Sequence, residues 1–256
     1  MNEFLPLAKR LADEAGDILR GVFRQDFTVQ TKRDNSPVTE ADRAVELRLR
    51  EIIEKERPHD GILGEEFGPK ESQSGLTWVL DPIDGTKSFV IGRATFGTLI
   101  ALAEGETPKL GIIDQPILRE RWIGMDGTQT TYNDRPIKTR PCAHVDEARI
   151  ASTTPAMFTN TGPAYLIFDE TGKRMAWGGD CYMYGLLASG FMDICIEAEL
   201  SPYDFAALIP IVKGAGGHIS NWRGEDLTLR SDGRVIAVGD PTLWPAVERM
   251  IRKSPY

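Results

Sequence analysis

The chain has 256 residues, of which 41% are hydrophobic and 27% are charged, and its formal net charge is −8. This composition is ordinary for a globular protein, and the length suits one large domain or two small ones with a core that needs no disulfides. The acidic balance, with no Lys/Arg cluster beyond Lys32-Arg33, argues against a nucleic-acid-binding surface. The three cysteines are too few and too scattered for a disulfide framework or a zinc site, so reduced thiols are expected.

The first residues are predicted to form an amphipathic helix that ends near Phe23. Its apolar residues recur with a period near 3.6, at Leu5, Ala8, Leu11, Ala12, Ala15, Leu19 and Val22. The acidic residues within this segment argue against a signal or transit peptide. The longest apolar run, residues 96–103, is too short to span a membrane. We therefore expect a cytoplasmic protein with no membrane partner.

A second amphipathic helix is predicted from Thr39 to about Arg57. Short extended segments separated by turns follow it, at residues 61–64, 78–80, 96–103, 109–114 and 121–123. Helices followed by a run of strands favour an α+β layered arrangement.

The charged, proline-containing stretch 134–146 is interpreted as a connection between two subdomains, residues 1–140 and 141–256. In the second subdomain the pattern predicts an α/β alternation: residues 149–152, a helix at 161–169, a strand at 193–197, a helix from about Pro202 to Gly214 and a strand at 235–238. The glycine-rich residues 214–217 lack the Lys-Ser/Thr of a P-loop, so they are expected to end a helix and begin a strand.

Two aspartates end an apolar strand in the stretch WVLDPIDGTKSF, residues 78–89. Pro82 fixes the backbone after the strand, and Gly85 allows a tight path into the next element. Asp84 could cap a strand-to-helix turn, or Asp81 and Asp84 could together hold a cation. The motif alone does not decide between these alternatives.

Other acids stand at similar positions, and each has a purely structural alternative. Glu65 follows the strand 61–64 in GEE, where a solvated loop residue is common. Asp204 lies in SPYD, which has the pattern of a helix start with Ser201 as N-cap. Asp42, in TEAD, has the same alternative.

Taken together, GEE, DPIDGT and an acid at a helix start near GAGG resemble the magnesium-dependent inositol monophosphatase superfamily in order and spacing over nearly the full chain. The resemblance implies an α/β (α+β) fold, a layered αβαβα sandwich of two subdomains. It also implies two or three Mg²⁺ ions, whose ligand positions are Glu65, Asp81, the carbonyl of Ile83, Asp84 and Asp204. Asp42 and Thr86 fall on the pair that orients the attacking water, and Asp42 also lies near a third metal. Glu66 would support the site.

Mg²⁺ prefers oxygen ligands and keeps several waters, so a few carboxylates plus a substrate phosphate suffice to hold it. Two such ions roughly 3.5–4 Å apart can activate water and stabilise a leaving alkoxide. Glu65 is therefore counted with the catalytic pair, and Asp84 with the Gly85 and Thr86 amides is expected to meet the phosphate. A haloacid dehalogenase-type enzyme would need D-x-D, whereas the motif here is D-x-x-D.

Within the superfamily, DPIDGTKSFVIGRATFGTLIAL, GIIDQPILRERWIG and GDCYMYGLLASG resemble the histidinol-phosphate phosphatase branch. Typical inositol phosphatases have DGTTNF and a small residue where Asp180 stands. Histidinol phosphate carries an ammonium and an imidazole, so its pocket should offer carboxylates beyond those that hold metal. Asp180 and Glu197 fall on the positions that contact the alcohol, although they could also be a turn residue and a strand-end acid. Lys87 and Arg174 are expected near the site without an assigned contact.

The sequence thus predicts a Mg²⁺-dependent phosphatase that converts L-histidinol phosphate to L-histidinol and phosphate by metal-activated water. A broader phosphatase of inositol phosphate or another sugar phosphate is the alternative of the same class. A non-catalytic metal- or phosphate-binding regulator is disfavoured, because mere binding does not need Asp42 and Thr86. The resemblance further implies a homodimer whose small-molecule partner is a phosphate monoester.

Overall fold

The computed structural model describes residues 1–25, 29–31, 37–159 and 175–253. The helices are α1 (Leu5–Val22), α2 (Glu40–Glu56), α3 (Thr86–Val90), α4 (Tyr182–Ala188), α5 (Pro202–Phe205), α6 (Leu208–Gly214) and α7 (Trp244–Lys253). The strands up to the subdomain connection are β1 (Val29–Thr31), β2 (Pro37–Thr39), β3 (Gly61–Gly64), β4 (Leu76–Asp84), β5 (Gly97–Glu104), β6 (Thr107–Gln115), β7 (Glu120–Met125), β8 (Thr131–Tyr132) and β9 (Arg135–Pro136). The later strands are β10 (Ile150–Ser152), β11 (Met175–Trp177), β12 (Ile194–Glu197), β13 (His218–Ser220) and β14 (Val235–Val238).

The larger sheet has seven strands in the order β3-β4-β5-β6-β7-β8-β9, and only β3 and β4 pair in parallel. Both of its faces are buried, which explains the unbroken apolar runs of its central strands. Along β5, Ile100 and Leu102 pack into the core beneath α1 and α2, while Leu99 and Ala101 face the opposite core.

The smaller sheet has five strands in the order β11-β10-β12-β14-β13. Its inner face contributes Cys195, Val235 and Ala237 to the core that α4, α5 and α6 share with the larger sheet. Its outer face packs Ile194, Ile196, Ile236 and Val238 against α7. The layers are therefore helix, sheet, helix, sheet and helix, as predicted.

Helix α6 lies against the larger sheet at two facing glycines, Gly111 of β6 and Gly124 of β7. A Cβ added to Gly111 would overlap the carbonyl oxygen of Ala207, and one added to Gly124 would overlap the backbone nitrogen of Ile211. We call this pair of positions the glycine groove. The groove allows the backbone of the middle helical layer to rest directly on the sheet.

The connection between the sheets is held by a buried carboxylate of the second half. Arg140 donates Nε to Asp193 Oδ1 at 2.8 Å and Nη2 to Asp193 Oδ2 at 2.5 Å, and the Arg149 amide donates to the same carboxylate at 2.7 Å. The last strand of the larger sheet ends at Pro136 and the first of the smaller begins at Ile150. A subdomain boundary at residue 140 stays a prediction.

Most predicted elements lie within a few residues of the observed ones, including the helix end and strand start around residues 214–217. The helix predicted from Pro202 to Gly214 is wrong as one element, because the chain forms α5 and α6 with a break at Ala206-Ala207. Pro210 has no amide to donate to the Ala206 carbonyl, so a continuous hydrogen-bond ladder cannot cross this point. The helix predicted at 161–169 lies outside the described residues. None of the helices described is long and apolar enough to cross a membrane.

Candidate active site

The two aspartates of DPIDGT lie at the end of β4, where its pairing with β5 shifts register between Asp81 and Asp84. Pro82 cannot donate a ladder hydrogen bond, and its carbonyl accepts instead from the Thr98 hydroxyl at 2.8 Å. Asp81 Oδ1 accepts the Ile83 amide at 3.0 Å, which closes the irregular turn. The interrupted ladder is what brings both carboxylates to the same edge of the sheet.

Asp204 reaches this edge from the second half of the molecule. It is the third residue of α5, and its Oδ2 accepts the Ser201 amide at 2.7 Å in a complete capping box. One carboxylate oxygen from each of Asp81, Asp84 and Asp204 lies within 4.8 Å of the others. Asp204 therefore caps the start of α5, as its structural alternative predicts, and also belongs to the carboxylate cluster.

The cluster is electrostatically unfavourable without a cation. Burial, and next the carboxylates of Glu65 and Asp84, raise the pKa of Asp81 well above its ordinary value. Burial, and next the carboxylates of Asp180 and Asp204, raise the pKa of Asp84 in the same way. Clustered, buried oxygen donors of this kind suit a hard divalent ion such as Mg²⁺.

Asp42 and Thr86 meet beside the cluster. Asp42 is fully buried in the first turn of α2, and the Thr86 hydroxyl at the start of α3 lies 3.4 Å from its Oδ1. The same hydroxyl donates to the Ile83 carbonyl at 3.1 Å. Thr86 therefore joins two of the predicted site residues, although they come from different elements.

A cavity of about 200 Å³ opens over these residues. It is lined by Glu65, Asp84, Gly85, Thr86, Lys87, Thr153, Met157, Asp180, Cys181, Tyr184, Glu197, Leu200, Asp204 and Leu208. Lys87 is exposed at its rim, and Arg174 lies outside the described residues. The structure thus brings the predicted substrate-binding acids and three of the predicted metal ligands, Glu65, Asp84 and Asp204, to one cavity.

Asp180 is tied to the segment that follows the DPIDGT turn. Its Oδ2 accepts from the Ser88 hydroxyl at 2.6 Å and from the Thr95 hydroxyl at 3.1 Å. Its φ of 45° is in the left-handed region, and a Cβ on Gly85 would lie 2.6 Å from the Asp180 Cγ. Gly85 is therefore required both for its own φ of 82° and for the close approach of Asp180.

Glu197 ends β12 and is 3% exposed. Its Oε2 accepts from the Tyr184 hydroxyl at 3.0 Å, and the Thr153 side chain also hydrogen-bonds to it. Burial nevertheless raises the pKa of Glu197 to about 8, since these two hydrogen bonds offset only part of the desolvation.

Sequence reasoning missed several groups that hold the acids in place. The Cys181 amide donates to Asp84 Oδ2 at 2.5 Å, while Ser88, Thr95, Thr153 and Tyr184 supply the hydroxyls described above. The available signals were the motifs GDCYMYGLLASG, which contains Cys181 and Tyr184, and DPIDGTKSFVIGRATFGTLIAL, which contains Ser88 and Thr95. Neutral hydroxyls carry no pattern of their own in a single sequence.

A layered sandwich with carboxylates gathered at one sheet edge is the architecture of a class of metal-dependent phosphatases. The chain belongs to the inositol monophosphatase family, whose sequence profile matches residues 1–254.

Relatives at higher similarity carry more than one activity in their names. The chain is similar to the chloroplastic bifunctional phosphatase IMPL2 of Arabidopsis thaliana, 45% identical over 93% of this chain and 69% of that protein. A histidinol-phosphatase of Chlorobaculum parvum is 36% identical over 93% of each chain. Among solved structures, an inositol monophosphatase from Zymomonas mobilis is 46% identical, with a TM-score of 0.90 over 98% of both chains. The family is Mg²⁺-dependent and acts on small phosphate monoesters.

Proposed function

We propose that this chain hydrolyses L-histidinol phosphate to L-histidinol and phosphate. The observation that carries the proposal is the position of Asp180 and Glu197, which line the same cavity as the metal-site acids but lie outside the three-carboxylate cluster. A substrate whose alcohol part brings an ammonium and an imidazole gains from two extra carboxylates, whereas a neutral alcohol does not.

The donor set of the cluster fits Mg²⁺, which Glu65, Asp81, the Ile83 carbonyl, Asp84 and Asp204 would hold. When bound, the metal would polarise the phosphate and lower the pKa of a bound water. Thr86 would orient the attacking water, with its hydroxyl held between Asp42 and the Ile83 carbonyl. As the water gives a proton to the Thr86 oxygen, Thr86 would give its own hydroxyl proton to Asp42 Oδ1, 3.4 Å away, which requires the hydroxyl to turn from the Ile83 carbonyl toward Asp42.

The alcohol side of the cavity would receive the rest of the substrate. Glu197 lies against the Tyr184 hydroxyl, and a cationic group placed beside it would favour the ionised carboxylate. Binding of the cationic alcohol would therefore release a proton from Glu197 at neutral pH, since burial raises the pKa of Glu197 to about 8.

A broader phosphatase that also accepts inositol phosphate is the second candidate. The name of the Arabidopsis relative, a bifunctional phosphatase, and the inositol monophosphatase from Zymomonas mobilis at 46% identity favour it. In that case Asp180 and Glu197 would accept hydrogen bonds from substrate hydroxyls and would bring no preference for positive charge.

Phosphate release from a substrate panel tests the proposal. The protein, loaded with Mg²⁺, is assayed with histidinol phosphate, inositol 1-phosphate and glycerol phosphate, and kcat/KM is compared. We expect the highest value for histidinol phosphate and no turnover after treatment with EDTA until Mg²⁺ is restored. A preference for inositol 1-phosphate would assign the second candidate function, and full activity without metal would overturn both.

A further inference from the structure

The turn that carries Glu65 is held by a side chain from α2. Glu46 is fully buried, and its carboxylate accepts the Glu66 amide at 2.7 Å and the Phe67 amide at 3.3 Å. On the other side of Glu65, a Cβ on Gly64 would overlap the same carboxylate. The backbone before and after Glu65 therefore lies directly against Glu46.

Arg50, one turn further along α2, completes the arrangement. Its Nε donates to Glu46 Oε1 at 2.7 Å, which balances the buried negative charge. Its Nη2 donates to the carbonyls of Phe67 at 3.1 Å and Gly68 at 3.0 Å. We call Glu46 and Arg50 the turn clamp, since together they bind both the amides and the carbonyls of the segment after Glu65.

The clamp also shares a helix with Asp42. Asp42, Glu46 and Arg50 are spaced four residues apart, so they form one row along α2. The first residue of the row faces Thr86, and the other two hold the Glu65 turn. A movement of α2 would therefore displace Asp42 and Glu65 together.

We infer that the turn clamp is a positioning element that sets the metal affinity of the site by fixing the Glu65 backbone relative to Asp81 and Asp84. The inference rests on the proposed function, in which Glu65 is a metal ligand. Glu46 acts through the backbone and touches neither metal nor substrate. A carboxylate is suited to this task because it only accepts hydrogen bonds, whereas an amide in its place would turn a donor toward an N–H group.

Glu46→Gln tests the inference with Mg²⁺ itself as the probe. Mg²⁺ is titrated calorimetrically into the metal-stripped protein, and kcat is measured separately at saturating Mg²⁺. We expect an affinity about 10–100-fold weaker, the usual cost when a group that orients a metal ligand is lost. The kcat at saturating Mg²⁺ should stay near that of the wild type, because excess metal restores occupancy. Arg50→Lys, which keeps the charge but loses the fork to two carbonyls, should weaken affinity less.

Matched controls lie on the same helix. Arg48 and Glu51 form an exposed ion pair at 3.4 Å, and Arg48→Lys and Glu51→Gln should leave Mg²⁺ affinity unchanged. A clamp variant that loses thermal stability but binds Mg²⁺ as the wild type does would overturn the inference. If Glu46→Gln does not fold, Arg50→Lys decides by the same criterion.

Glu65→Gln separates a failure of this inference from a failure of the proposed function. If Glu65→Gln weakens Mg²⁺ binding but the clamp variants do not, the clamp has no positioning role and the proposed site stands. If Glu65→Gln leaves Mg²⁺ binding intact, Glu65 is not a ligand and the proposed metal site itself is wrong.

Discussion

The acids on the two sides of the cavity are held in opposite ways. On one side Asp81, Asp84 and Asp204 face one another, and burial together with the neighbouring carboxylates raises the pKa of Asp81 and of Asp84. On the other side Asp180 and Glu197 accept hydrogen bonds from neutral hydroxyls of the protein, although Asp180 also raises the pKa of Asp84. The first group gains most from a cation, whereas the second already has hydrogen-bond partners before any ligand arrives.

This difference separates two uses of a buried carboxylate. Repulsion among the clustered carboxylates destabilises the metal-free protein, and a divalent ion bound there would relieve it. The cluster therefore favours metal binding and lowers the stability of the metal-free fold. The hydroxyls beside Asp180 and Glu197 stabilise these side chains in place, so the alcohol side is preorganised. Removing an acid of the cluster should therefore stabilise the metal-free protein, whereas removing the Asp180 carboxylate would take from the Ser88 and Thr95 hydroxyls their acceptor.

The largest effect is expected for Asp81→Asn. If Asp81 holds metal as proposed, its loss should lower turnover on the order of 10³-fold, since metal stabilisation of the transition state is worth several kcal/mol at about 1.4 kcal/mol per decade. The same change should stabilise the metal-free protein, because it removes a buried charge that Glu65 and Asp84 repel. Turnover is measured with Mg²⁺, and the stability of the metal-free protein is measured by urea unfolding in EDTA.

Asp60→Asn is the matched control for a buried acid. Asp60 pairs with Arg57 and accepts from Ser74 and Trp78, and these partners lower its pKa. Its substitution should lower stability and leave turnover unchanged. If both variants were destabilised alike, repulsion within the cluster would not be the force described above.

Thr86→Ala is expected to lower kcat by roughly 10²–10⁴-fold, as for other elements of acid–base catalysis. Mg²⁺ affinity should not change, because the substitution removes only the hydroxyl between Asp42 and the Ile83 carbonyl. Thr86→Ser should restore most of the rate. Steady-state kinetics with Mg²⁺ titration decide, and a change confined to KM would instead indicate a binding role for Thr86.

Asp180→Asn and Glu197→Gln probe the alcohol side. If these acids meet positive charge, each change should cost about 10–100-fold in kcat/KM for histidinol phosphate, the worth of a charge-assisted hydrogen bond of about 1.5–3 kcal/mol. Glycerol phosphate under the same Mg²⁺ should be affected much less. Ser88→Ala is the companion variant, since it loosens the Asp180 carboxylate without removing its charge. Equal losses on both substrates would mean that the two acids only shape the cavity.

The last prediction is a pH dependence of the metal-free protein. The raised pKa of Glu197, about 8 in the folded state against an ordinary 4.5, means that the folded protein binds a proton that the unfolded chain has released. Stability should therefore fall as pH rises from about 5 to about 8, by at most about 1.4 kcal/mol per pH unit for this group. The raised pKa values of Asp81 and Asp84 act in the same direction.

Urea unfolding at several pH values in EDTA measures this slope. Glu197→Gln should flatten it, and saturating Mg²⁺ should flatten it further by favouring the ionised cluster. A slope of the opposite sign in the metal-free protein would contradict the assignment of these raised pKa values.

The order of the elements and the three-carboxylate cluster were accessible from sequence because their signals are local. An apolar run such as 96–103 indicates a strand, β5, that is buried on both faces. DPIDGT indicates a strand that ends in an irregular turn. The acid of α5 was visible for the same reason, as part of a helix-start pattern.

Contacts between distant segments were not accessible. Ser88 and Asp180 are 92 residues apart, and nothing in either local pattern indicates that a hydroxyl meets a carboxylate. The break between α5 and α6 depends on where the missing amide of Pro210 falls in the helix, a detail that apolar periodicity does not register. Glu46 was hidden for a third reason, because a charged residue on a helix is ordinarily solvated.

The glycine groove links the spacing between α6 and the larger sheet to the geometry of the candidate active site. Asp204 and α6 are on one stretch of chain, so the height at which Ala207 rests above Gly111 fixes how near Asp204 comes to Asp81. A methyl group added to Gly111 would overlap the Ala207 carbonyl oxygen, so the segment that carries Asp204 would have to move away from the sheet. Two glycines that lie outside the cavity lining would in this way influence the distance between Asp204 and Asp81.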